Sequence, residues 1–201
     1  MRRSRGNAAY TNAFVPWPAV RAGYRIVVAG RCPPEMGCHR RHGVVRVDVN
    51  TVTEMLFYHM QRQPLERVLP ALLEKSLERG WRVVVQAASD ERVEALDAHL
   101  WTYRDDGFLP HGTYKESAAP EQPILITVND DNPNQAAVRF LVDGAPVPAD
   151  ALTYERIVLL FDGEDPDAVD AARTLWTTAK AEGFAVTYWQ SDNDGRWQRK
   201  G

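Results

Sequence analysis

Cysteine is nearly missing from this chain. Only Cys32 and Cys38 occur in 201 residues, both close to the start, so neither a disulfide framework nor a redox pair is expected in the remainder, and a reducing, cytoplasmic setting fits. No apolar run approaches the roughly 20 residues that a membrane helix needs. Phosphate-binding glycine loops are also lacking. No G-x-x-x-x-G-K-[ST] or G-x-G-x-x-G follows a hydrophobic run, and the turn after the first such run reads Gln61-Arg62-Gln63-Pro64. No Ser or Cys sits in a nucleophile elbow. His59, His99 and His111 stand apart, which suits structural roles, and Asp130-Asp131 falls in the turn-rich stretch Asn129 to Asn134, where solvated carboxylates are usual. The group Cys32, Cys38, His39 and His42 matches no common zinc spacing. No catalytic residue, metal site or cofactor is therefore expected.

Lysine is absent from the first 51 residues, which hold nine Arg against Glu35 and Asp48, a net of +7; the whole chain carries −3, so residues 52–201 carry −10. Non-specific nucleic-acid affinity rests on clustered Lys and Arg, and an acidic body grips phosphates poorly. Any link to DNA is expected to run through another protein. Residues 1–51 also contain Pro16, Pro18, Pro33 and Pro34 and no sustained hydrophobic period, so an extension with little stable structure is expected there. An Arg-rich, acid-poor start also suits a transit peptide, but the stretch is poor in serine and has no clean amphipathic helix.

What the rest of the chain contains is an alternation of short apolar runs and helical patterns. Met55 to Met60 reads as a strand, and Pro64 opens a helix with Leu65, Val68, Leu69, Leu72, Leu73 and Leu77 on one face, kinked at Pro70 and closed at Gly80. Trp81 to Ala87 is a second, buried strand, and Ser89 caps a helix running through Val93, Leu96, Leu100 and Trp101. Arg104 to Gln122 looks irregular. Ile124 to Val128 reads as a third strand, Val138 to Val142 as a short extra one, and Arg156 to Phe161 and Phe184 to Trp189 as two more that flank a long helix. This order predicts an α/β domain over 52–201, three-layered α/β/α, with a mainly parallel sheet.

The long helix, Asp165 to Gly183, is the best-specified element. Asp165 suits the N-cap, Pro166 the first helical position and Gly183 the left-handed closing residue. One stripe, Ala168, Ala172, Leu175 and Ala179, is small enough to lie close on a sheet. The next, Val169, Arg173, Trp176 and Lys180, sets a large aromatic between two cations one turn away on each side. Such a stripe suits an acidic, apolar peptide, though on the residues alone a core tryptophan flanked by solvated cations is the more ordinary reading.

Certain stretches carry a resemblance that covers roughly residues 52–201. They are Leu56-Phe57-Tyr58, Arg82-Val83-Val84-Val85, Leu96-Asp97-Ala98-His99-Leu100-Trp101 leading to Phe108-Leu109-Pro110-His111, and Phe161 followed by the helix to Gly183-Phe184. In this order and spacing they resemble the chi-subunit family of bacterial DNA polymerase III holoenzyme. The resemblance implies a Rossmann-like fold without a nucleotide-binding loop and a non-catalytic accessory role in replication. It further implies binding of the acidic, phenylalanine-ended tail of single-stranded DNA-binding protein, and attachment to the clamp loader through the psi subunit. By that likeness Phe161, Val169, Arg173, Trp176 and Lys180 would receive the tail, while Trp101, Phe108 and Pro110 would face psi or the clamp loader. The family's best-known members have lysine where this chain has Val169, so a weaker grip on the tail is expected. The family's start falls near Val52, which suggests that translation begins there. Two other classes remain to be separated by binding tests, a nucleotide-using Rossmann-like enzyme and a direct DNA-binding module.

Overall fold

The computed structural model describes residues 52–192 and 196–200. The expected extension, 1–51, and with it Cys32, Cys38, His39 and His42, lies outside the described residues. The apolar runs become strands and the amphipathic patterns become helices, in the order β1 (Glu54–Met60), α1 (Leu65–Glu78), β2 (Val83–Gln86), α2 (Asp90–Thr102), β3 (His111–Thr113), β4 (Ile124–Thr127), β5 (Val138–Leu141), β6 (Arg156–Asp162), α3 (Pro166–Ala181), β7 (Ala185–Ser191) and β8 (Trp197–Arg199).

The strands form one sheet in the order β3-β4-β2-β5-β6-β1-β7-β8, parallel throughout except for the antiparallel pair β7 and β8. The connections β1-α1-β2 and β2-α2-β3 run toward the β3 edge, whereas β6-α3-β7 steps the other way over β1. Right-handed crossovers in opposite directions set helices on opposite faces, so α1 and α2 cover one side and α3 the other. Three layers result, as the alternation predicts.

Strands buried on both faces read as continuous apolar runs, and Val83, Val84, Val85, Ile124, Leu125 and Ile126 are all fully buried. Two strands escape the sequence pattern, β3 and β8, and a third, β5, is placed differently from the short extra strand its residues suggest. β3, His-Gly-Thr, is a short edge strand inside the stretch that looks irregular. β5 is central, between β2 and β6, although Arg139 interrupts its apolar run. Arg139 is fully buried and donates to Gln86 Oε1, to the Tyr154 hydroxyl and to the carbonyls of Asn129, Asp130 and Asp131. A buried guanidinium is tolerated only with such a full set of acceptors. Here it ties the β4-β5 loop to the sheet.

Pro70 lies inside α1, where it cannot donate to the carbonyl of Glu66 four residues earlier. His99 of α2 supplies a donor instead, its Nε2 standing 2.8 Å from that carbonyl oxygen. The helix continues through Pro70 as one element, and the two helices on this face are joined at the point where the proline leaves an acceptor open.

Candidate partner-binding surfaces

Helix α3 starts as its sequence dictates: the Asp165 side chain accepts from the Asp167 amide at 3.0 Å, Pro166 takes the first position, and Gly183 closes the end with φ of +92°. This fixes its rotation on the sheet. Ala172 and Ala179 are buried against β1, β6 and β7, Ala168 and Leu175 are half-buried, and the adjacent stripe forms the margin of the contact. On that margin Val169 and Trp176 are half-buried, while Arg173 and Lys180 are exposed.

Trp176 belongs to both environments. Its ring meets Phe57 of β1 edge-on, with centroids 5.1 Å apart, and Tyr188 of β7 at 6.1 Å in a second edge contact. Its outer side is open enough for Lys180 Nζ to rest 4.8 Å from the ring centroid, a cation-π contact. Arg173 Nη1 donates to Asp170 Oδ1 at 2.8 Å on the helix surface. Phe161 is buried and packs in the same cluster as Val169, Trp176 and Tyr188. Phe161, Val169 and Trp176 therefore share one cluster, with Lys180 over the Trp176 ring and Arg173 exposed on the same helix margin.

Two further residues complete this surface, and no sequence motif announces them. His59 Nδ1 is hydrogen-bonded to the Tyr188 hydroxyl, and the His59 ring lies 5.2 Å from that of Phe161. Their separation is 129 positions, so only the pairing of β1 with β7 brings them together. Burial holds His59 below its ordinary pKa, and the cationic Arg173 adds to this, while a Gly163 backbone contact and the Asp162 carboxylate oppose it. Burial also raises Tyr188, again with Arg173 within electrostatic reach and opposing. Arg173 thus senses the floor of the surface, not only solvent.

Arg139 and Arg156 cannot supply the charge that Val169 lacks. Arg139 is locked to the β4-β5 loop, and Arg156 is buried beside Glu54 with its guanidinium 4.8 Å from the Trp81 ring.

In an open α/β sheet, ligands sit at the carboxyl ends of strands where the crossover direction reverses. That position here is the pair β1 and β6, and it is filled. A Cβ at Gly163 would stand 1.8 Å from His59 Nε2, so the turn after β6 closes directly on the His59 ring. The turn after β1 holds Arg62 with φ of +54°, not a glycine loop. Nearby, a polar hollow of about 240 Å³ between the ends of β1, β7 and β8 is lined by Gln61, Gln190, Ser191, Asp192, Gln198 and Lys200. Lys200 and Asp192 there are engaged by Gln198. Among the described residues no group of three or more His, Cys, Asp or Glu could hold a metal ion.

The second sequence-predicted surface lies at the β3 edge. Trp101 and Phe108 are 58% and 70% exposed, with ring centroids 6.1 Å apart, and Pro110 beside them is half-buried. Leu109 and His111, next to them in the chain, are both buried. His111 faces the carbonyl oxygens of Leu109 and Asp97 and packs 4.9 Å from Trp101. The two aromatics stand beside a buried base, facing solvent.

Comparison with known proteins bears on both surfaces. The family described as "DNA polymerase III chi subunit, HolC" matches residues 52–187. A Rickettsia prowazekii protein named "Probable DNA polymerase III subunit chi" is 26% identical over 99 residues, which are 49% of this chain and 60% of that protein. A Pseudomonas aeruginosa protein named "DNA polymerase III subunit chi" is 28% identical over 118 residues, 57% of this chain and 78% of the relative. The family match spans more than half of the chain, from β1 through α3 into the first residues of β7, and takes in Trp101, Phe108 and the α3 margin. The chain belongs to the DNA polymerase III chi-subunit family.

Proposed function

We propose that this protein is a non-catalytic accessory subunit of the replicative DNA polymerase III holoenzyme, in the cytoplasm, which links the clamp loader to single-stranded DNA-binding protein by holding that protein's acidic C-terminal tail. The observation that carries the reading is the α3 margin, where a half-buried Trp176 stands between exposed Arg173 and Lys180. A terminal phenyl ring would lie against Trp176 and Val169 above Phe161. Its carboxylate and the neighbouring aspartates would pair with Arg173, whose fork can donate two parallel bonds, and with Lys180. Contact with DNA is indirect, since the described body is acidic.

The exposed pair Trp101 and Phe108, with Pro110, would carry the other contact, toward the psi subunit or another clamp-loader component. Aromatic side chains at an exposed edge are the usual anchors of an interface. No nucleotide chemistry is assigned, because the crevice at the ends of β1 and β6 is occupied by His59 and Gly163.

The test is calorimetric titration of the full chain with a short peptide of aspartates ending in phenylalanine, beside Arg173→Glu and a peptide lacking the phenylalanine. Binding that needs both Arg173 and the terminal ring is expected. Binding by neither peptide, or equal binding by wild type and Arg173→Glu, would remove the α3 margin as the tail receptor.

A further inference from the structure

Arg173 is not idle on the helix. Its Nη1 donates to Asp170 Oδ1 at 2.8 Å, across one turn, with both side chains about three-quarters exposed (75% and 74%). The geometry is that of an arginine already holding a carboxylate. From this contact we infer that Asp170 is an intramolecular competitor for the tail, occupying the guanidinium that an incoming carboxylate must take, and so setting the affinity and the acidity required of the ligand. This inference rests on the tail-binding reading of the α3 margin.

The charge distribution supports it. Asp162, Glu164, Asp165 and Asp167 precede Asp170, and no cation lies among them. Of these carboxylates Asp170 is the one that reaches Arg173. Val169, the neighbouring member of the stripe, carries no charge, and Lys180 is drawn over the Trp176 ring. Arg173 is therefore the principal cation for the ligand's carboxylate, and Asp170 is positioned to contest it. A single acidic group on a ligand would only exchange one carboxylate for another, with little gain. A ligand that presents a carboxylate together with a ring for Trp176 and further aspartates for Lys180 displaces Asp170 at a profit from the other contacts. The pair thus discriminates for dense acidity combined with an apolar end.

The magnitude follows from the exposure of the pair. Exposed ion pairs contribute between nothing and about 1 kcal/mol, and about 1.4 kcal/mol is tenfold in a dissociation constant, so relief of the competition is expected to tighten binding about two- to fivefold. The experiment is titration of the full chain, as wild type, Asp170→Asn and Asp167→Asn, with the aspartate-phenylalanine peptide at low and high salt. Asp167→Asn removes the same charge one turn earlier without touching Arg173, and both positions are exposed, so folding is preserved and is checked by circular dichroism. The expected result is tighter binding by Asp170→Asn than by Asp167→Asn, with the difference shrinking as salt screens the pair. An Asp170→Asn protein that gains no more than Asp167→Asn overturns the inference. If wild-type binding still requires Arg173 in that case, the tail-binding reading stands. If none of the three proteins binds the peptide, both fall.

Discussion

The contact between His99 and the Glu66 carbonyl makes a prediction that a double-mutant cycle can decide. Pro70 removes the amide that would fill this acceptor, and His99 Nε2 stands 2.8 Å from it. His99→Ala leaves the carbonyl without that donor. An acceptor stripped of its partner in a buried setting costs about 1–3 kcal/mol, and because this bond is only partly buried the low end, about 1 kcal/mol, is expected. For a domain of this size that corresponds to a fall of roughly 2–4 °C in Tm. Pro70→Ala restores the helix amide, at the cost of a buried ring, and gives the carbonyl a local donor. In that background His99→Ala is expected to cost less than about 0.5 kcal/mol, so the coupling across the cycle is about 0.5–1 kcal/mol. The assay is urea unfolding of wild type, both single variants and the double, compared at constant m. Equal cost of His99→Ala in the two backgrounds would refute the reasoning. It would mean that the carbonyl, with two lone pairs, accepts from the helix amide and from His99 independently, and that the histidine is not there to answer the proline.

Three other outcomes follow from the structure. Arg139→Met leaves the carbonyls of Asn129, Asp130 and Asp131 and the Gln86 side chain without their donor, so a loss of about 3 kcal/mol is expected, together with faster amide exchange in residues 129–131 by mass spectrometry; unchanged exchange there would mean that the loop holds its own shape. Replacing Trp101 and Phe108 by serine is expected to alter stability by less than about 0.5 kcal/mol, since both are exposed, while abolishing capture of clamp-loader components in a pull-down with the full chain. His59 has a folded pKa below its usual 6.5, so the folded protein resists a proton that the unfolded chain accepts. Its stabilising share is whole above about pH 6.5 and is lost as pH falls from there through the depressed value, and His59→Gln is expected to flatten the stability-pH curve in that window.

Much of this architecture was legible because local and global signals agree. Helix α3 carries its cap, its first-turn proline, its closing glycine and its small-residue stripe in one segment, and each lies where the sequence places it. The parallel strands buried on both faces announced themselves as apolar runs. β5 is legible as a strand but not as a central one, because a charged residue normally argues against that place, and only the acceptors assembled from Gln86, Tyr154 and the 129–131 loop make Arg139 compatible with it. β3 was missed because three residues, one of them glycine, give no period, and its position is set by pairing with β4. The same limit hid His59 and Tyr188. Their contact is a property of strand register, which composition and spacing along the chain do not carry. Trp176 had been open to two descriptions, core residue or receptor. It packs on Phe57 with one edge and has Lys180 over another side, so the ring is part of the core and of the surface at once, which spacing along the helix does not tell.

The strand order also dictates a schedule for biosynthesis. β1 is among the first described elements to leave the ribosome, yet its two neighbours in the sheet, β6 and β7, begin about 100 and 130 positions later. During translation its hydrogen-bonding edges have no sheet partner, the condition under which nascent chains associate wrongly. Loop closure over such separations is slow, so the half of the sheet around β2, β4 and β3 is expected to consolidate first. Helix α3 can seat only after β6 and β7 clasp β1. The α3 margin is thus the last part of the molecule to mature, and a chain cut short before β7 lacks the sheet on which it is built.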